Sequence, residues 1–444
     1  MKRGLLILIV AISVILGARP LAAQQPAKRY IVQTTKGLSS VVNLCLSAGC
    51  QVQGALDGAI GQTYLVTSSN SNFLGNLVGG VLNLLEQLLG IKSVEADQLL
   101  AIPLVPVANA APGLYDTRPV NYYGTVVTNG YVNQPATQII ELQNAQHGFN
   151  VSGAGIVADI DTGVDTTHPA LSKVLLPGYD FTRNQPGASE WLDISSMQNG
   201  IDDASSQGEE PVVVQQRTVA VLDQRTVAVL DGGPYGDFGH GTMTAGLIHL
   251  VAPTSRILPL KAFSANGTGN LSNIVAALYY AVQHNANAVN MSFDFAASSP
   301  AFSQAVSYAN QAHVVLVAAA GNEGVNTPVY PAAMEPYVMG IASTSDSDAI
   351  STWSNYGTPD VWIGAPGENI VSTYPGGTYA SGSGTSFSCP LVTGTAALLL
   401  NANSSLNQAR AASALAHAQP ETRNLNHGLL DVYTALQAWL QEER

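Results

Sequence analysis

The chain has 444 residues, of which 46% are hydrophobic and 11% charged. That balance excludes a disordered chain and allows a sizeable core, with a prior of about two or three domains. Acidic residues outnumber basic ones 30 to 17, a net charge of −13, which is not the footprint of a nucleic-acid binder and says little about fold.

The N-terminus reads as an export signal. Lys2 and Arg3 precede an apolar run from Leu5 to Gly17, followed by small residues up to Ala23. The run is short for a membrane span, so cleavage after Ala23 is expected, with an uncleaved anchor as the rival. No later segment is long and apolar enough to span a bilayer. The expected location is outside the cytoplasm, secreted or periplasmic.

Lys28 to Pro103 reads as a small α+β module. It contains a strand at Tyr30–Gln33, a helix at Leu38–Leu46 and a hairpin from Cys50 to Val66 around Asp57-Gly58. One amphipathic helix is predicted over Phe73–Leu89, and a strand over Gly90–Asp97. Cys45 and Cys50 are near enough in sequence to pair. The third cysteine, Cys389, reads as a small buried hydrophobe. No C-x-x-C or H-E-x-x-H pattern occurs, so no zinc site is expected. Leu104 to Ala136, rich in Pro, Gly, Asn and Tyr, reads as a mobile linker.

From Thr137 to the end the pattern is α/β. Strands are predicted at Gly155–Asp161, Arg256–Phe263, Ala288–Ser292, His313–Ala319, Tyr337–Ala342 and Val361–Ala365. Helices are predicted at His240–Val251, Leu271–Asn285, Pro300–Gln311, Ser386–Leu400 and Leu406–His417, with a last one after Gly428. Such alternation implies a mostly parallel sheet with helices on both faces, and ligands bound beyond the carboxyl ends of its strands. The octad Gln216–Asp223 recurs unchanged as Gln224–Asp231. It reads either as a hairpin turning near Asp223-Gln224 or as a duplication that lengthens a surface loop.

The run Gly382-Ser383-Gly384-Thr385-Ser386 leads into an apolar helix and places Ser386 near a helix N-terminus. A serine there is an N-cap or a nucleophile beside unpaired N–H groups. Three other features end strands or open helices: Asp161 in Asp161-Thr162-Gly163-Val164, His240 in Gly239-His240-Gly241-Thr242, and Asn322 in Ala319-Ala320-Gly321-Asn322. Each is weak alone. Together they supply acyl transfer: an alcohol that needs a base, an imidazole that shuttles a proton, a carboxylate that orients it, and an amide N–H for the oxyanion.

The order Asp161, His240, Ser386 differs from that of α/β-hydrolases and chymotrypsin-like enzymes, and a G-x-S-x-G elbow is missing. On these motifs, with Pro390 after the serine, the chain resembles the subtilisin-like serine proteases from about Ile139 to Leu436. The resemblance implies a subtilisin-like α/β fold. It also implies a serine endopeptidase with Asp161, His240 and Ser386 as triad and Asn322 in the oxyanion hole. Gly267-Thr268-Gly269 lies where members offer an edge strand to a polypeptide substrate. Ser292, Ala319 and Gly321 fall where they line the first specificity pocket. Tyr30 to Asp97 is similar to the family's inhibitory pro-domain, closest at Val94-Glu95-Ala96-Asp97, which makes the module an intramolecular inhibitor cut away within Leu104–Ala136. No cofactor is implied. Structural calcium is common in that family, but no acidic loop here maps onto a known site.

The chain also departs from the pattern. An insertion of roughly 184–235 separates Asp161 from His240. It carries Glu190, Asp193 and the octads, and is expected to flank the active site. Phe293-Asp294-Phe295 stands where glycines are common, so Asp294 either favours a basic substrate side chain or points away. Asp159 shares a strand face with Asp161. It either holds a proton and donates inward, or bonds nearby backbone without catalytic consequence. Competing readings of the whole are a silent subtilase-like binding domain and a non-proteolytic esterase. The four intact residues argue against the first, and the substrate edge strand against the second.

Overall fold

The computed structural model describes residues 27–77, 80–102, 111–194, 218–223, 226–230, 236–416 and 424–442. The expected export signal lies outside these residues. Among them, no helix is long and apolar enough to cross a membrane.

An eight-stranded sheet forms the centre. Its order is Gln185–Pro186, Tyr179–Asp180, Arg256–Lys261, Ile156–Asp161, Ala288–Met291, Val315–Ala319, Met339–Thr344, Ile363–Pro366. From Tyr179–Asp180 onward the pairing is parallel, and only the short edge strand Gln185–Pro186 is antiparallel. Alternation along the strands feeds two cores. Val157, Val315, Val317, Met339 and Ile341 pack with the helices His240–Val251 and Thr385–Ala402. Ala158, Ile160, Val289, Leu316 and Ala318 pack with the helices Leu271–Gln283 and Pro300–Gln311. Ser299 starts the last of these: its Oγ accepts the Phe302 N–H at 3.0 Å, and Pro300 occupies the first turn, where no N–H is missed. The strand order reverses about Ile156–Asp161, whose neighbours lead away in opposite directions, and this is where an open α/β sheet forms a crevice.

The N-terminal module is a four-stranded antiparallel sheet in the order Gln51–Ala55, Thr63–Ser68, Lys28–Thr34, Ile91–Ala96. Its small core holds Tyr30, Val32, Val41, Leu44, Phe73 and Ile91. Cys45 and Cys50 form a disulfide within it. The helix expected over Phe73–Leu89 is described as two pieces, Phe73–Leu77 and Gly80–Leu89.

The module docks on the two helices of the second core. Asp97 Oδ1 accepts the Ser272 N–H at 2.8 Å, and Glu95 Oε1 accepts the Ala301 N–H at 2.8 Å, so one carboxylate caps the start of each helix. Leu99–Ala101 then pairs antiparallel with Thr268–Asn270. Ile31, Leu100 and Ile102 enter the second core as apolar anchors.

One expectation needs correction. The segment read as a mobile linker lies outside the described residues at 103–110, but from Ala111 onward it is folded. It forms a hairpin of Pro119–Tyr122 with Thr125–Thr128, and short helices at Asn129–Val132 and Pro135–Ile139. Leu114, Tyr131, Val132 and Ala136 are buried in the first core, and the Tyr131 hydroxyl donates to the Gly246 carbonyl at 2.6 Å. Its turn-rich composition hid apolar groups whose partners are distant in sequence. The insertion, too, is partly woven into the domain. Glu190 is fully buried, and Lys261, itself buried, bonds Asp193 Oδ2 at 2.7 Å. The octads do form a hairpin, Thr218–Asp223 with Thr226–Leu230, and it pairs with Thr378–Gly382.

Candidate active site

Asp161 ends its strand and His240 opens its helix, and the backbone between them comes close. A Cβ on Gly241 would sit 2.1 Å from the Gly163 carbonyl, so only glycine admits this approach. Gly239, at the helix N-cap, has φ 91°, a left-handed conformation that glycine adopts without strain. The result is a bond from His240 Nδ1 to Asp161 Oδ1 at 2.8 Å, with Oδ2 at 3.0 Å. Burial lowers the imidazole's pKa. The Asp161 charge and hydrogen bond, with the charges of Asp237 and Asp159, outweigh it and push the group up to about 9.

The same helix start is held by Glu190. Its Oε1 accepts the Thr242 N–H at 2.8 Å and the Thr242 hydroxyl at 2.9 Å, and its Oε2 accepts the Gly239 N–H. Burial raises this carboxyl to about 8 against the pull of those bonds and of Lys261. The sequence placed Glu190 in the insertion but carried no sign of this role, because its partners lie about fifty residues away.

Ser386 sits in the first turn of Thr385–Ala402, where N–H groups lack intrahelical acceptors. Pro390, four residues on, cannot donate to the Ser386 carbonyl. That carbonyl instead accepts the Ser292 hydroxyl at 2.8 Å. The Ser386 hydroxyl donates in return to the Ser292 carbonyl at 3.2 Å. Phe387, the next residue, lies with its ring centroid 5.6 Å from that of His240, which brings the two helix starts within a side chain of one another. Asn322 Oδ1 accepts the Thr385 N–H at 3.0 Å and the Thr385 hydroxyl at 2.8 Å. These bonds fix the flip of the amide and turn its NH₂ end away from Thr385.

Ser292 bonds Ser386, the Gly321 N–H donates to the Thr385 hydroxyl at 3.3 Å, and Ala319, also buried, ends the strand that leads to Gly321. Asp294 does not point away: a Cβ on Gly321 would meet Asp294 Oδ2 at 2.8 Å. Burial, then the charges of Glu323 and Asp360, push the Asp294 carboxyl up to about 8. Thr268–Asn270 holds Leu99–Ala101, and the Gly267 carbonyl accepts the Ile102 N–H at 2.9 Å. Cys389 is buried and its thiol is pushed up to about 12, chiefly by burial, in keeping with an inert core role.

Two polar residues escaped the sequence reading, Thr244 and Asn290. Thr244 is four residues after His240, on the same helix face, and Asn290 is two before Ser292, on the same strand face. That spacing was the available signal. Among the described residues, no group of three or more His, Cys, Asp or Glu is arranged to hold a metal ion.

Residues 152–433 match the subtilase family model, peptidase S8. Thermitase of Thermoactinomyces vulgaris is 33% identical over 271 residues, covering 59% of this chain and 80% of its own. Subtilisin Savinase of Lederbergia lenta is 34% identical over 271 residues, covering 59% and 82%. The thermophilic serine proteinase of Bacillus sp. (strain AK1) is 35% identical over 245 residues, but the match spans only 51% of its length. Fervidolysin from Fervidobacterium pennivorans, a keratinolytic enzyme related to subtilisin, shares the fold. Its solved structure has a TM-score of 0.65, covers 93% of this chain and 61% of its own, and is 21% identical. A family match over most of the chain, joined to an aspartate, a histidine and a serine in this order on this sheet, leads to one conclusion: the chain belongs to the subtilase family of serine peptidases.

Proposed function

We propose that this protein is an exported serine endopeptidase made as a zymogen. The carrying observation is the bond between His240 Nδ1 and both Asp161 oxygens, with Ser386 at the neighbouring helix start. Ser386 is the nucleophile. Its Oγ donates to the Ser292 carbonyl in the free protein, and catalysis requires it to turn toward the His240 imidazole as substrate arrives. His240 accepts the proton as Oγ attacks the peptide carbonyl and returns it to the leaving amine. Water then repeats the exchange on the acyl-enzyme. Asp161 keeps the proton on Nδ1 and faces the imidazolium. Asn322 and the Ser386 N–H receive the oxyanion. The loss on removing one such donor, about 10²–10³ in rate, was measured in subtilisin, a relative of this chain.

A polypeptide substrate adds to Thr268–Asn270, with Gly267, Ser292, Ala319 and Gly321 around the residue at the cleaved bond. The pairing of Leu99–Ala101 with that strand supports this, and supports residues 28–103 as a pro-domain that inhibits by occupying the substrate's place. Release follows cleavage between 104 and 136, and the folded packing from Ala111 favours its earliest part. The apolar run at Leu5–Gly17 supports export.

The test is labelling with a fluorophosphonate, comparing wild type with Ser386→Ala. Labelling of wild type alone, peptide hydrolysis, and loss of an N-terminal fragment of module size are expected. Folded but unlabelled wild type would mean a binding domain, and ester turnover without peptide cleavage an esterase.

A further inference from the structure

Behind the imidazole lies a second carboxylate. Asp159 is 3% exposed, and its Oδ2 stands 2.8 Å from the Thr244 hydroxyl. That hydroxyl also lies 3.1 Å from the Gly241 carbonyl and 3.4 Å from Asp161 Oδ2. On its other side, Asp159 Oδ1 accepts from Asn290 Nδ2 at 2.9 Å. The same Nδ2 reaches Ser292 Oγ at 2.9 Å, and Ser292 Oγ donates to the Ser386 carbonyl. Asp159 is therefore linked through Thr244 to the carboxylate behind His240, and through Asn290 and Ser292 to the backbone of Ser386.

Its contacts are few for a buried charge. Two donors, the Thr244 hydroxyl and Asn290 Nδ2, reach it, and Asp161 is a second carboxylate beyond the same hydroxyl. With a proton on Oδ2, Asp159 donates to Thr244, whose hydroxyl then turns to the Gly241 carbonyl at 3.1 Å or, more weakly, to Asp161. Asn290 remains a donor to Oδ1 either way.

We propose that Asp159 is a positioning residue that works as a neutral acid, donating through Thr244 toward Asp161 and keeping a single negative charge behind His240. Two charges there would hold the imidazolium proton too tightly for its return to the leaving amine. The proposal rests on the serine-peptidase reading and concerns a group that acts through Thr244, outside the residues that meet substrate.

The surroundings agree. Burial and then the Asp161 charge push the Asp159 carboxyl up to about 8, against the bonds from Asn290 and Thr244 and the charge of His240. The titratable groups around it are Asp161 on its own strand and His240 at the start of the helix that carries Thr244. Asp237 and Glu190 stand near that helix start, and the Cys389 thiol comes from Thr385–Ala402. Lys261 lies on the adjacent strand, paired with Asp161 in register, but its Nζ bonds the Thr162 and Phe263 carbonyls and Asp193. None of these bonds Asp159 directly, so none takes the place of its proton.

Asparagine reproduces the neutral acid: Nδ2 donates to Thr244, and Oδ1 accepts from Asn290. In the processed enzyme, Asp159→Asn is expected to keep kcat/KM within about threefold below pH 8 and to leave the acid limb of the pH profile in place. Removing the relay with Asp159→Val and Thr244→Val together is expected to lower kcat about tenfold, with KM unchanged, and to move that limb. A purely structural role would change only thermal stability. A second readout needs no activity: in the Ser386→Ala form, infrared difference spectra at neutral pH should show that Asp159→Asn removes one protonated carboxyl band and leaves those of Glu190 and Asp294. The proposal is overturned if Asp159→Asn lowers the His240 pKa by a unit, as loss of a charge would. An absent band, or an unaltered pH profile and kcat in the valine pair, overturns it as well. If Ser386→Ala keeps full peptidase activity, the functional reading fails instead, and the infrared result still reports on Asp159.

Discussion

Among the described residues, three helices begin against a carboxylate brought from a distant part of the chain, and they differ in who supplies it. Glu190, from within the catalytic domain, closes the start of His240–Val251 and is fully buried. Glu95 and Asp97, from the N-terminal module, close Pro300–Gln311 and Leu271–Gln283. The shared feature is a carboxyl oxygen that accepts from N–H groups with no intrahelical partner. The consequence differs. The first contact is part of the interior and shares a helix start with His240. The other two lie where the module meets the domain, beside Ile31, Leu100 and Ile102, which the module adds to the second core.

The comparison is broken or sharpened by experiment. The largest effect concerns the buried group. Glu190→Ala leaves two backbone N–H groups and a hydroxyl without their partner in the interior, so a loss of about 3 kcal/mol in stability is expected, seen as a lower Tm. Glu190→Gln keeps an acceptor and should cost less. If alanine at 190 is harmless, the buried cap is no different from the docking ones.

Next comes the pH response of the charges around His240. The imidazole must be neutral to act as base, and its pKa is raised, to about 9 with Asp159 charged and less far with Asp159 neutral. Activity should therefore appear as pH rises above about 6.5, with kcat/KM falling about tenfold for each unit below the raised value. Stability runs the other way: the favourable contribution of this raised histidine is complete below its unfolded value of about 6.5 and is lost as pH rises through about 9. An acid limb at or below pH 6.5 would contradict the site's electrostatics.

The module's disulfide ranks third. Replacing Cys45 and Cys50 by serine removes a short cross-link, with an expected cost of about 2 kcal/mol to the module. Calorimetry should show that transition move while the catalytic domain's stays.

The docking caps come last. Asp97→Ala and Glu95→Ala should each weaken binding of the separate module to the Ser386→Ala catalytic domain about fivefold, near 1 kcal/mol. Asp97 should lose the more, since it also holds Ser272 Oγ at 2.8 Å and Arg29 Nε at 2.7 Å. In the full-length Ser386→Ala chain, neither change should lower the Tm of the catalytic domain's transition. If it does, the module is a permanent part of the fold.

Much of this molecule was legible one residue at a time. The helix His240–Val251 has the bounds its pattern implied, as does Pro300–Gln311, and the central strands fall within two residues of theirs. Periodicity is a local property, so the local sequence displays it. The order of Asp161, His240, Asn322 and Ser386 was legible for a similar reason: each sits at an element end marked by glycine, where strand or helix has to stop.

What folding alone decided is which side chains meet across long separations. Tyr131 finds Gly246, Glu190 finds Thr242, and Asp159 finds Thr244 and Asn290. None of these pairs leaves a period or a motif in the chain. A buried polar group must have a partner, but the sequence states only the need, and the partner is whichever donor or acceptor the packed sheet and helices bring within about 3 Å.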